Sequence, residues 1–320
     1  MKGHLSGAQD SELGHWIAVL DSIMDGELAM NMLMAAGDRA VPYLEHFLLA
    51  GPPRTIALPR CRAARALGEL GAYSTLISYF RDYEFATDPE VLFAEDAVRS
   101  AVARELLRWK SDEVLRVLMD AAKQRATSGL VLAIGEFRRP EAVPLLFQIL
   151  EDDFCREEAK DALRKVRETA HPYAILLIRG VSETAFYGPY TLHRRRATLQ
   201  LLEEFGISEA EWQDLRQFLT ESDADIVISA ARIGSRVGTA SDQRQMAEAL
   251  FRISEHVNWA QEGEIEELLD THPDLAHEIA DEVIEERRRR GEHANWLAPS
   301  WRILRHVLGR ALEGRQYGAA

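Results

Sequence analysis

A recurrence constrains this chain more than any other feature. Leu67-Gly68-Glu69-Leu70-Gly71 is matched sixty-seven positions later by Ile134-Gly135-Glu136-Phe137-Arg138, and an amphipathic stretch follows each copy. The midpoint falls at Leu106-Leu107-Arg108-Trp109-Lys110, ahead of an amphipathic stretch from Asp112 to Ala122, with the glycines lost. Arg139-Pro140-Glu141 has a counterpart thirty-two residues on at His171-Pro172-Tyr173, and Phe137 has one sixty-eight on at Phe205-Gly206. Gly37-Asp38-Arg39-Ala40-Val41-Pro42 opens the series. A unit of a little over thirty residues holds two short helices and their turns but cannot hide an apolar face alone, so neighbours must stack and share one continuous core.

Within each unit the apolar residues fall three and four apart, as in Val143, Leu146, Phe147 and Leu150, with charged residues between them. That spacing is helical, and no stretch reads as a strand. Ala, Leu, Arg and Glu, all strong helix formers, dominate between brief turns. Pro42 and Pro144 follow turns directly, where a helix's first N–H has no internal acceptor for proline to remove. The expected fold class is all-α, built from repeated helical hairpins.

The turn Gly-Asp-Arg-Ala-Val-Pro-Tyr-Leu at 37–44 and the run Pro140-Glu141-Ala142-Val143-Pro144-Leu145-Leu146 resemble the HEAT family, in particular its short bacterial HEAT-like repeats of the PBS-lyase type. The segment from Glu151 to Ala159, with Asp152, Asp153 and Arg156, is similar to that family's inter-helix turn. The likeness is closest over 35–80 and 128–178, and residues 180–260 keep the period with poorer motifs. The Trp and Gly-Tyr pattern of tetratricopeptides and the Thr-Pro-Leu-His of ankyrins are missing. The resemblance implies a right-handed α-solenoid of stacked antiparallel hairpins. It would have an N-terminal helical cap over 1–36, HEAT-like repeats over 37–260, and divergent C-terminal helices with a cap over 261–320.

Composition narrows the function. Hydrophobic residues make up 47% of the 320 residues and charged ones 28%, enough to bury a core under an ordinary charged surface. The net charge of -14 argues against a general duplex-DNA binder, which needs a basic footprint. Cys61 and Cys155 are too few for a disulfide framework or a thiolate zinc site. No metal and no cofactor are expected. The first apolar run, Trp16 to Leu20, is followed by Asp21 and Asp25 and does not read as a signal peptide, and no apolar stretch reaches the roughly 20 residues that span a bilayer. A cytoplasmic protein without membrane association is expected. The excess of Arg over Lys and the high Ala content are associated with GC-rich bacterial genomes.

The candidate binding residues are arginines. In HEAT-like arrays the second helix of each pair lines the concave face, and the resemblance places Arg62, Arg65, Arg99, Arg104, Arg108, Arg156, Arg164, Lys165, Arg194, Arg195, Arg196 and Arg232 there. Such a ridge would grip an acidic peptide or a nucleic-acid backbone through bidentate contacts; the same arginines can instead pair with Glu157, Glu158 or Glu204. Two long connections interrupt the pattern: Ala50 to Pro59, which reads best as a tolerated insertion, and Gly180 to Pro189. Phe186, Tyr187 and Tyr190, in and beside the second, are candidate contact residues, because tyrosine is favoured at interfaces.

Other features have ordinary explanations. His272 and His277 lie five apart, off a common helical face, and do not read as metal ligands. Glu262 to Glu286 lacks Lys and Arg and runs into Arg287-Arg288-Arg289-Arg290, as expected of a helix from about Asp274 to Arg290 whose solvated face carries acids early and arginines late, paired at spacing four as in Glu285 with Arg289. Trp296 to Leu312 reads as a capping helix with Trp301, Leu304, Val307, Leu308 and Leu312 on one face. Trp109 with Asp112 and Glu113 is the one cluster similar to alkylpurine DNA glycosylases on this scaffold, and nothing matches the bilin lyases. No phosphate loop, nucleophile elbow or zinc signature occurs. The expected function is a non-catalytic scaffold binding a protein or peptide on the concave face. The alternative is a nucleic-acid-binding or nucleic-acid-modifying enzyme that uses the arginine ridge.

Overall fold

The backbone changes hand where the recurrence places its turns. Gly37, Gly71, Arg138 and Gly206 all have positive φ, at 64°, 76°, 51° and 75°. Each follows a helix, where a left-handed residue lets the next N–H groups fold back onto the last carbonyls. Arg138 takes the position at which the first copy has Gly71, and it is the one non-glycine with positive φ among the described residues. A computed structural model of the chain describes residues 3–52, 54–82, 85–180, 191–295 and 297–317, with side chains from 11 to 309 within these ranges.

Among these residues there are eighteen α-helices and no strand, so the fold is all-α. The chain divides into two compact units, 1–166 and 167–320. The first contains α1 (Gly3–Val19), α2 (Gly26–Ala35), α3 (Val41–Glu45), α4 (Leu58–Glu69), α5 (Tyr73–Arg81), α6 (Pro89–Leu106), α7 (Asp112–Gln124), α8 (Ser128–Glu136), α9 (Val143–Ile149) and α10 (Arg156–Lys165). α2, α4, α6, α8 and α10 each pack on the next to form one row. α1, α3, α5 and α7 form a second row behind it, and α9 packs on α10.

The Leu-Gly-Glu recurrence is the seam of the first row. A Cβ on Gly135 would lie 2.7 Å from the Cβ and 2.9 Å from the Cα of Ala162, so α8 and α10 touch backbone to backbone there. Gly68 makes the equivalent approach to the Glu105 side chain of α6. The glutamates that follow, Glu69 and Glu136, each accept a 2.6 Å bond from the next helix of the row or its end, from Arg108 and Lys165 respectively.

The second unit contains α11 (Arg167–Ile178), α12 (Leu192–Phe205), α13 (Glu209–Leu215), α14 (Ala224–Val237), α15 (Ala240–Ile253), α16 (Trp259–Leu269), α17 (Pro273–Arg289) and α18 (Pro299–Tyr317). α12, α14, α16 and α18 form one row. α13 with its 3-10 continuation at Arg216–Thr220, α15 and α17 form the other. Three starts carry reciprocal caps, Ser208 with Glu211, Thr239 with Asp242 and Asn258 with Gln261.

Three details depart from the sequence pattern. Pro172 lies inside α11, because the residues ahead of it continue the helix, whereas the first unit has a separate 3-10 turn at Pro140–Ala142 before Pro144. The arginine run that ends α17 is not all solvated: Arg287 is buried, stacks over Trp301 at 4.8 Å and lies 3.4 Å from Glu255. Glu285 pairs with Arg288 instead of Arg289, which pairs with Glu286. In α18, Ile303 joins Trp301, Leu304 and Val307 in the core, and Leu308 is half-buried.

Candidate functional site

The arginines expected to form a ridge do sit on the first row of unit one and on the α12 row of unit two, but most have their guanidinium groups occupied. Arg62, buried in α4, donates to Glu27 at 2.9 Å and to the carbonyls of Leu20 and Ser22 at 2.8 Å, closing the end of α1. Arg108 bridges Glu105 and Glu69 at 2.8 and 2.6 Å. Arg164 holds Asp161 at 2.6 Å and Arg195 holds Glu221 at 3.0 Å. Arg196 clamps Asp223 and reaches Asp225 at 3.1 Å, and Arg194 is buried in the first turn of α12. Arg65 and Arg104 remain exposed, Arg65 at 3.9 Å from Glu27. Phe186, Tyr187 and Tyr190 lie outside the described residues.

A further set of arginine pairs shares one geometry. Arg232 meets Glu264 thirty-two residues on, Arg244 meets Glu278 thirty-four on, and Arg179 meets Asp214 thirty-five on. One repeat length separates the partners, so each pair joins a helix to its neighbour in the stack. Other arginines close helix ends, where four carbonyls lack internal donors: Arg156 donates to Leu150 O at 2.8 Å, Arg252 to Leu219 O at 2.6 Å, and Arg99 to Ala121 O at 3.0 Å. A planar fork with five donors suits this role better than a lysine ammonium.

The cluster around Trp109 is likewise tied down. Trp109 packs edge-on against Tyr73 with ring centres 5.4 Å apart. Glu113 accepts bonds from Tyr73 Oη at 2.8 Å and Arg81 at 2.6 Å. The tyrosine bond and then the Arg81 contact hold its carboxyl below the usual range, opposite to the raised value of a general acid. Asp112 lies 3.4 Å from Arg139. His277 lies 3.4 Å from Asp281, and no group of three or more His, Cys, Asp or Glu among the described residues could hold a metal ion.

The free surface of unit one lies elsewhere. The start of α6, the link from α7 to α8 and the turn from α9 into α10 enclose a groove of about 730 Å³. Phe93 and Phe154 flank it, 79% and 90% exposed. Its floor is rigid: Arg125 clamps Asp96 with bonds of 2.7 and 2.5 Å, and Ser100 Oγ sits 3.0 Å from Thr127 Oγ1. The turn that presents Phe154 is fixed by its own N–H, which donates to Asp152 at 2.8 Å. No family model matches this sequence, and no curated protein matches it either.

The groove was not legible in the sequence, because Phe93 reads as an ordinary apolar residue of a helix and Phe154 lies in a turn, some sixty residues apart, and only packing brings them to one groove. The signal available was Phe154 itself, a large apolar side chain inside an acidic turn. Cys155, also at the groove, is buried, and burial pushes its thiol up to about 12; Cys61 is half-buried, and that partial burial pushes its thiol up to about 11. Both thiols are therefore neutral in the native protein at mildly alkaline pH, and thiolate is the reactive form. Titration with Ellman's reagent at about pH 8 should give slow, incomplete reaction in buffer and two thiols promptly in guanidinium; prompt native reaction of either would refute the burial described.

Proposed function

We propose that this protein is a non-catalytic helical-repeat scaffold of the HEAT-like type, a right-handed solenoid, that binds a segment of another protein in the Phe93–Phe154 groove of its first unit. One observation carries the reading: two phenylalanines are held out in solvent, on rigid elements, either side of an open groove. A fully buried phenylalanine contributes roughly 1.5–3 kcal/mol relative to an exposed one. Each is thus an unused anchor of the kind that dominates peptide recognition. Gln148, Ser128 and Lys123 on the walls offer side-chain partners for an extended backbone. Nucleic-acid binding through the arginine ridge has less support, since the ridge is largely neutralised by its own carboxylates and the net charge is -14.

The test is a peptide selection. Peptides enriched from a displayed library by the wild-type protein should bind the Phe93→Ser/Phe154→Ser variant about thirtyfold more weakly or worse, the loss of two anchors of about 1 kcal/mol each or more. Thermal stability should be unchanged, because both rings face solvent. Equal binding by the variant, or no enrichment at all, would sink the assignment.

A further inference from the structure

The most exposed apolar side chains of unit one share a register. Among its described residues, the five large ones that stand furthest into solvent are Ile23, Met24, Ile56, Phe93 and Phe154. Ile23 and Met24 just precede α2, Ile56 precedes α4, Phe93 lies in the second turn of α6, and Phe154 precedes α10.

Packing puts those helix starts on one edge. Gly26, which opens α2, lies against Arg62 in the first half of α4. Arg60 binds Glu95 and Gly68 lies against Glu105, so α4 and α6 run parallel. Gly129 against Ser100, and Lys110 against the Glu136 carbonyl, set α8 parallel to α6. Ser128 with the Phe154 carbonyl, and Lys165 with Glu136, do the same for α10 and α8. The Phe93–Phe154 groove is the stretch of this edge that crosses the start of α8, where Thr127 and Ser128 are polar.

Spacing limits what can lie along such an edge. Packed helix axes stand about 8–10 Å apart. A strand repeats a face roughly every 6.6–6.8 Å, and a helix of roughly 5.4 Å pitch regains a comparable interval only at every seventh residue. A polyproline II segment repeats a face every third residue, at about 9.3 Å. The extended form keeps step with the stack.

Charge supplies the second, independent constraint. Arg54, Lys123, Arg125 and Arg156 along this edge are each paired, with Asp21, Asp120, Asp96 and Asp153. Asp25, Asp88, Glu90 and Asp152 have no cationic partner among the described residues, and the first three are exposed. Helix starts favour acids through the dipole, and with the local cations already neutralised the edge is left negative. Resting on the reading that the groove takes a polypeptide segment, we infer that this segment is extended and basic. Its apolar residues, three or six apart, step from Phe154 past Phe93 to Ile56 and Met24, and Lys or Arg between them faces the carboxylates.

The test sorts a displayed library of random peptides, about sixteen residues long to span five helix starts, on the full-length protein and on its Phe93→Ser/Phe154→Ser variant. Peptides that need the two rings should carry apolar residues three or six apart, at least about twofold more Lys and Arg than the unsorted library, and fewer acids. A synthesised winner should bind about fivefold more weakly to Ile56→Ser or Met24→Ser, each the loss of one exposed anchor. Its affinity should fall at least about tenfold as salt rises from about 0.05 to about 0.5 M. Ring-dependent peptides that repeat at two or seven residues, or that show no basic excess, would overturn the inference and leave the groove reading standing. Affinity unchanged in both single variants, or insensitive to salt, would do the same. Failure to recover any ring-dependent peptide would instead sink both.

Discussion

Arg60→Met is expected to destabilise the protein by about 3–5 kcal/mol at neutral pH, the usual effect of removing one partner of a buried ion pair. Arg60 and Glu95 are both almost fully buried, and the Tyr79 hydroxyl donates to Glu95 at 3.2 Å. Burial already raises the Glu95 carboxyl above its ordinary value, against the opposing pull of Arg60, of the Tyr79 bond and of Arg99. Without Arg60 that pull weakens and the folded-state value rises further above the unfolded one. A carboxyl raised in this way destabilises the fold when charged, fully so above its folded value and less as pH falls toward the unfolded value. The stability deficit of the variant should therefore shrink between about pH 8 and pH 5. Urea titrations of wild type and variant at those two pH values provide the check. A deficit that grows on acidification would contradict this account, as would the absence of a deficit. The double variant Arg60→Met/Glu95→Met should recover much of the loss, because a buried pair replaced on both sides by apolar groups is often neutral.

The second large effect lies in the other unit. Trp212→Ala is expected to destabilise by about 3–5 kcal/mol, the range for a large aromatic deleted from a core. Trp212 is 1% exposed, and its ring occupies space that exists because residue 234 is glycine: a Cβ there would lie 2.7 Å from two ring carbons and 2.5 Å from Met246 Sδ. The pair should be coupled. Gly234→Ala should be destabilising in the wild-type background, with a clash that outweighs its gain of roughly 0.5–1 kcal/mol in helix propensity. In the Trp212→Ala background, where the ring carbons are gone and Met246 Sδ can move into the space they leave, the same change should be markedly less destabilising. A thermal-melt cycle over the four proteins decides it; additive effects would mean that the ring and the glycine do not share a contact.

Much of the architecture was legible before any coordinates. The turns at Gly37, Gly71, Arg138 and Gly206 lie where the recurrence puts them, and the helix expected from about Asp274 to Arg290 spans Pro273–Arg289. Amphipathic spacing and capping chemistry are local, so they survive in a sequence read three or four residues at a time. Less of the binding surface was visible. The sequence leaves the arginines open between a ridge for a partner and pairing within the protein, and only the packing shows that Arg62, Arg108 and Arg196 bind carboxylates and carbonyls of adjacent helices. Arg287, read as one of four solvated charges, lies against Trp301.

The sequence by itself determined that this chain is helical, where most of its turns fall, and that its helices come in units a little over thirty residues long. Only the tertiary structure decided which charges neutralise one another and which phenylalanines stay in water. The physical reason is distance along the chain. Helix formation depends on neighbours three or four positions away, whereas a salt bridge from Arg232 to Glu264 exists only once the packing of one helix on the next has set their register.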